Sequence, residues 1–165
     1  MKKLVLISGT MGVGKSTVCE LLLRRTEHSV YLDGDWCWKM HPFVVNEENK
    51  RMVMDHITHL LRGFLRNSQI HTVYFCWVMH EQAIVDEILH ALREEAFVPI
   101  PIALTCTQAE LARRMRARGE DEAAIARSVA RLPLYAGLRT TLLDVSELSV
   151  EQTAERILAH IRAQA

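Results

Sequence analysis

Residues 9–16 read Gly9-Thr10-Met11-Gly12-Val13-Gly14-Lys15-Ser16 and fit the spacing G-x-x-x-x-G-K-[ST] at every fixed position. These residue types suit the holding of a phosphate chain. Glycines tolerate positive φ and carry no Cβ, so successive N–H groups can turn inward around an anion. Lys15 adds a cation for the β- and γ-phosphates, and the Ser16 hydroxyl is an oxygen ligand for Mg²⁺. The loop extends from Gly9 and Thr10 to Thr17, with the amides of residues 12–17 expected on the phosphates. A nucleoside triphosphate with Mg²⁺ is the expected ligand.

A second group with chemical potential is Leu32-Asp33-Gly34-Asp35. Residues two apart in extended chain point to the same side, so Asp33 and Asp35 are expected side by side. Two carboxylates beside a Mg-nucleotide can divide the labour: one steadies the metal's water shell, the other accepts a proton from an attacking hydroxyl. Taken alone, a turn with solvated aspartates is the favoured reading, since Gly34 favours turns; beside a phosphate loop the catalytic reading leads.

These groups need a scaffold, and the chain supplies one by alternating strand-like with helix-like segments. Strands are expected at about 3–8, 30–32, 73–78, 98–104 and 141–145. Helices are expected at about 15–25, 47–66, 81–94, 108–118 and 122–131, with a last helix opened by the capping box Ser149-Val150-Glu151-Gln152. The apolar run Leu4-Val5-Leu6-Ile7 before the loop suits a strand buried on both faces. Pro99 and Pro101 are expected to confine pairing at the start of the fourth strand, and Gly119 to stop the 108–118 helix. Such alternation predicts one α/β domain over residues 1–165: a five-stranded parallel sheet covered by helices. Ligands of such sheets bind outside the carboxyl ends of the strands, where both groups fall.

In these features the sequence resembles the P-loop small-molecule and nucleotide kinases, a superfamily that includes shikimate, gluconate, adenylylsulfate and adenylate kinases and antibiotic phosphotransferases. Three stretches carry the resemblance: the loop from Gly9 to Thr17, Leu32-Asp33-Gly34-Asp35, and Glu110-Leu111-Ala112-Arg113-Arg114-Met115-Arg116-Ala117-Arg118-Gly119. The last is similar to the stretch that opens the mobile lid of those enzymes, placing a helical lid at about 108–131. The resemblance implies a three-layer P-loop fold and Mg-ATP-dependent phosphoryl transfer to a hydroxyl. It implies Asp35 on the acceptor hydroxyl as base and Asp33 near Mg²⁺. It also implies Arg114 against the adenine or phosphates, and Arg118 moving in on lid closure. Independently of it, Arg114 and Arg118 are four apart and share a helix face, where a solvated basic helix is the plainer alternative.

One departure concerns the acid that many P-loop proteins carry at the end of a later strand. The third strand ends Trp77-Val78-Met79-His80-Glu81, with no aspartate on it. Asp33 is expected to serve the metal's outer shell instead, with Glu81 as the alternative. The acceptor pocket is expected between Trp36 and Arg51, where Trp36, Trp38, Phe43 and Arg51 suit a ring-bearing or partly apolar hydroxyl compound, with or without an anionic group. Trp36 and Phe43 as core residues under a loop, and Arg51 as a solvated charge, are the alternatives. Asp55, His56 and His59 only weakly resemble a metal spacing.

Composition narrows the partners. Lysine plus arginine equals aspartate plus glutamate at 20 each, giving no net charge, so a nucleic-acid surface is not expected. The apolar start is too short for a signal peptide and no run suits a membrane span, so a cytoplasmic protein is expected. Cys19, Cys37, Cys76 and Cys106 lack paired spacing and are expected as thiols. A kinase acting on a small-molecule hydroxyl, monomeric or homodimeric, is the leading expectation. A nucleoside or nucleotide kinase, and a regulatory ATPase without a small acceptor, remain open.

Overall fold

The chain was analysed as a computed structural model that describes residues 1–164. Its centre is β1 (Lys2–Ser8), whose residues Leu4 to Ile7 are buried on both faces. On one side it pairs with β3 (Thr72–Trp77), which pairs with β2 (Ser29–Asp33). On the other it pairs with β4 (Phe97–Thr105), followed by β5 (Thr141–Asp144). All pairings are parallel, in the order β2-β3-β1-β4-β5. Parallel neighbours require crossovers, and six helices provide them: α1 (Lys15–Arg25), α2 (Glu47–Arg66), α3 (Gln82–Ala91), α4 (Gln108–Ala117), α5 (Glu122–Arg131) and α6 (Val150–Ala163).

Strand alternation divides the core into two layers. Val5 and Ile7 of β1, with Tyr74 and Cys76 of β3, face Val18 and Leu22 of α1, Leu111 and Met115 of α4, and Ile157 of α6. Leu4 and Leu6, with Val73 and Phe75, face Val53, Ile57 and Leu61 of α2 and Val85 and Ile88 of α3. The three-layer α/β fold expected from the sequence is the one observed.

Several local expectations need correction. β3 starts one residue earlier and ends one earlier than its apolar run, while α3 ends at Ala91 rather than near Glu94. The prolines of β4 restrict pairing on one flank only. β4 pairs with β1 from Lys2↔Phe97 to Ser8↔Ala103, whereas β5 joins only from Ile102↔Thr141. Alternate residues of a parallel strand bond to opposite neighbours. Two prolines two apart therefore leave the β1 ladder whole when both face the flank where no strand yet lies. The stops hold as expected: Gly119 adopts φ +80 after α4, and Ser149 with Gln152 forms the capping box of α6.

Candidate active site

The phosphate loop joins β1 to α1. Gly14, at φ +108, is the N-cap of α1, which has neither a side-chain cap nor an acid in its first turn. Its first amides therefore point unpaired toward the loop, at the positive end of the helix dipole. Gly12 is needed twice over: its φ is +86, and a Cβ there would lie 2.5 Å from Met115 Cγ on α4. Lys15 Nζ folds back to donate to the Thr10 carbonyl at 3.0 Å. Burial pulls Lys15 below its usual value, opposed by Cys76, Asp35 and Asp33.

Two loop residues act through their backbones. Val13 buries its side chain in the core. Thr10 is fully buried and turned away from the cradle: its Oγ1 donates to the Ser128 carbonyl of α5 at 2.8 Å and lies 2.7 Å from Ser128 Oγ. Ser128 Oγ donates in turn to the Met11 carbonyl. Ser128 thus ties α5 to the loop, a contact for which the sequence offers no signal.

Arg114 ties α4 to the same place. Its Nη1 donates to the Val13 carbonyl at 3.2 Å, its Nη2 to the Val145 carbonyl at 2.8 Å, and its Nε to Glu110 Oε1 at 2.6 Å. The guanidinium is thereby fixed between the loop and the end of β5, where its flat face suits a base ring. Hydrogen bonds from Arg113 and Arg114 hold the Glu110 carboxyl down at about 2. Arg118 caps α4 and is exposed, and Arg51 is exposed on the first turn of α2. Among the described residues neither side chain bonds to the loop.

The two aspartates do not share one extended strand. Asp33 ends β2, and the chain turns at once into a 3-10 helix over Gly34–Trp38. The turn forms because Asp33 Oδ1 accepts the Asp35 amide at 3.0 Å, as an N-cap does. The two residues stay adjacent through that amide contact, and the Asp33 charge is among the causes that raise Asp35. Asp33 Oδ2 also accepts from Ser16 Oγ at 2.8 Å and from Tyr31 Oη at 3.0 Å. Tyr31 stands two residues before Asp33, so strand periodicity places both on one face. Ser16 and Asp33 bring two hard oxygen donors together beside the phosphate cradle, a set that fits Mg²⁺ and its water shell. Glu81, at the N-cap of α3, is exposed and paired with His80 Nε2 at 3.3 Å.

Asp35 is exposed as a residue, yet partial burial of its carboxyl and then the Asp33 charge raise it above its ordinary value, with Lys15 and a hydrogen bond from the Trp77 side chain opposing. Trp77 lies flat against Gly34, where a Cβ would come within 2.5 Å of its Cγ. Sequence reasoning missed its role because it sought an acid at the end of β3, although the position itself marked the site. Trp36 and Phe43 are exposed rather than core. Asp55, His56 and His59 are exposed on α2. All four cysteines are free, with Cys19, Cys76 and Cys106 buried. No helix among the described residues is long and apolar enough to cross a membrane.

Comparison with known proteins identifies the fold and the family. No curated protein matches the chain by sequence. Among solved structures, the tunicamycin resistance protein of Deinococcus radiodurans superposes with a TM-score of 0.74 at 18% identity, covering 98% of this chain and 96% of that one. A gluconokinase from Sinorhizobium meliloti gives 0.73 at 17% identity, covering 98% and 92%. The Mycobacterium tuberculosis APS kinase, solved with AMPPNP and APS, gives 0.68 at 14%, covering 98% of each. These likenesses establish a shared fold. The model of the AAA domain, a P-loop family, matches residues 5–132, and the chain belongs to that family.

Proposed function

We propose that the protein transfers the γ-phosphoryl group of Mg-ATP to a hydroxyl of a small molecule, as a cytoplasmic enzyme. The observation that carries this reading is the place of Asp35. It stands directly after Asp33, whose Oδ1 accepts its amide, at the carboxyl edge of the sheet beside Trp77, and its carboxyl is raised above its ordinary value by partial burial and the Asp33 charge. A regulatory ATPase has no need of a second carboxylate so placed.

In the proposed reaction the loop amides and Lys15 hold the β- and γ-phosphates. Ser16, with Asp33 in the outer shell, would hold Mg²⁺, which when bound would supply positive charge against the phosphate oxygens. Asp35 orients the acceptor hydroxyl and takes its proton as the acceptor O–P bond forms. The bond from Pγ to the β–γ bridging oxygen breaks, and ADP departs. Arg114 positions the nucleotide between Val13 and Val145, and Arg118 balances charge if α4 and α5 close further. The named kinases among the structural neighbours support the reaction class, and Trp36 and Arg51 are proposed on the acceptor.

Acceptor-dependent release of ADP tests the proposal. Lys15→Ala is expected to abolish nucleotide binding. Asp35→Asn is expected to keep ATP binding and lose acceptor-dependent turnover by about 10²–10⁴-fold. Full turnover in Asp35→Asn would remove the base from the mechanism.

A further inference from the structure

We infer that the acceptor is an uncharged hydroxyl compound carrying a ring or alkyl face, in preference to a polyol, carboxylate or nucleoside monophosphate. The inference rests on the phosphoryl-transfer reading above and concerns the other half of the same site. Two aromatic arms lead away from the carboxylates. Trp77 packs against Gly34, the residue before Asp35, and stands 6.5 Å from Trp38, and Trp38 lies 5.6 Å from Phe43. Trp36 leans edge-on against Tyr31 at 5.1 Å, and Tyr31 donates to Asp33.

The outer ends of these arms are left open to solvent. Trp36 is 56% exposed, Phe43 65%, Val44 41% and Val45 57%. Four large apolar side chains within ten residues, adjoining a general base, mark a binding wall rather than scattered surface hydrophobes. The stretch is held open by backbone ties, since Asn49 Nδ2 donates to the Val44 carbonyl at 2.9 Å and Asn46 caps α2. Trp38 Nε1 is buried with no hydrogen-bond partner. It is a spare donor within an otherwise apolar arm.

Charge points the same way. A monophosphate acceptor calls for a clamp of guanidinium groups. Of the arginines on α2, Arg62 donates to the Ala91 carbonyl at 2.8 Å, and Arg66 forms a fork with Glu95 at 2.7–3.1 Å. That end of α2 lies beside Lys2, whose Nζ donates to the Asn67 and Ile70 carbonyls at the start of β1. The start of a seven-residue strand is about 20 Å from the phosphate loop. Lys50 is paired with Glu47 at 2.9 Å. Arg51, exposed near the start of α2, is thus the single α2 guanidinium left without a carbonyl or carboxylate partner among the described residues, and the two aspartates of the site repel anions.

Matched ligand pairs test this in the full chain with Mg-AMPPNP, by calorimetry, with ADP release measured separately in Mg-ATP. Octyl glucoside, below its micellar concentration, is compared with glucose, adenosine with adenosine monophosphate, and gluconate serves as the anionic polyol. The expected result is binding at least tenfold tighter for octyl glucoside than glucose and for adenosine than its monophosphate. Both preferences should fall severalfold in Trp36→Ala and Phe43→Ala, with the fold shown intact by circular dichroism. Tighter binding of glucose, gluconate or the monophosphate, or preferences unmoved by both substitutions, overturns the inference. If gluconate also drives ADP release, the kinase reading survives that failure. If the apolar ligands bind as expected but nothing drives ADP release, the wall stands and the kinase reading fails. A dimer that Phe43→Ala dissolves would show the wall to be a subunit interface, and also overturns the inference.

Discussion

Gly34→Ala is the sharpest probe of how the base is positioned. A Cβ at this residue would lie 2.5 Å from Trp77 Cγ, 2.6 Å from Cδ1 and 2.9 Å from Cδ2. Carbon pairs rest at about 3.5–4.0 Å, so the ring must retreat by about 1 Å. An indole cannot bend out of the way, and Trp38 stands behind it at 6.5 Å. Overpacking of this kind costs about 1–3 kcal/mol, and the fall in Tm expected for a chain of this size is roughly 2–12 °C. The same 1 Å moves the N–H that faces Asp35, and misplacement on that scale lowers kcat/KM by about 100-fold. ATP affinity should persist, because Gly34 lies outside the phosphate loop. Scanning calorimetry, acceptor-dependent ADP release and nucleotide titration read the three effects separately. Gly34→Ala with Trp77→Leu should recover Tm without recovering turnover. An unchanged Tm together with unchanged kcat/KM would refute the reasoning, as would parallel loss of ATP binding.

Asp35→Asn is expected to raise Tm at neutral pH while removing turnover. A carboxyl raised in the folded state favours its neutral form there, so stability is lost as pH rises through the folded value, and the amide escapes that loss. A Tm lower than that of the parent protein at pH 7 would contradict it. Glu110 carries the opposite sign: held at about 2 against 4.5, it stabilises fully above 4.5 and loses that contribution as pH falls toward 2. In Arg114→Gln the decline of Tm across this window should be shallower, and KM for ATP should rise about tenfold as the loop-to-β5 tie is lost. Thr10→Val should lower Tm by roughly 2–10 °C, since it strips Ser128 of a buried partner. It should weaken ATP binding far less than Lys15→Ala, and equal losses in the two variants would place the Thr10 hydroxyl on the nucleotide.

What the sequence made legible was governed by short-range rules. The glycines, Lys15 and Ser16 act within one loop, and Gly119 and Ser149 act within one helix end, so spacing sufficed to find them. Asp33 and Asp35 were found for a reason that proved incomplete. Extended geometry predicted a shared side, yet the Asp33 cap bends the chain into a 3-10 turn, and it is the Asp35 amide that meets Asp33 Oδ1. Contacts across long stretches of chain were not legible. Ser128 meets Thr10, and Arg114 meets Val13 and Val145, only after five strands and six helices have been wound together. Trp77 was hidden differently, because its residue type did not match the acid sought at its position.

The displaced acid has a physical rationale in the sheet order. β3 lies between β1 and β2, so the end of β3 faces the loop directly, and here that place is taken by an aromatic side chain. β2 is one strand further out, and its terminal Asp33 is in register with Cys76, one residue before Trp77. An acid there reaches Ser16 only if its side chain is turned inward and held. Tyr31 Oη and the Asp35 amide do so at 3.0 Å each, on different oxygens. Moving the acid outward frees the end of β3 for a flat donor that faces Asp35 and continues into the Trp38–Phe43 arm. In the proposed reaction, metal support, base positioning and the apolar wall therefore form one arrangement. Restoring an acid by Trp77→Asp should leave nucleotide binding intact yet lower acceptor turnover, because it places a third carboxylate beside Asp35 and severs the arm at its root.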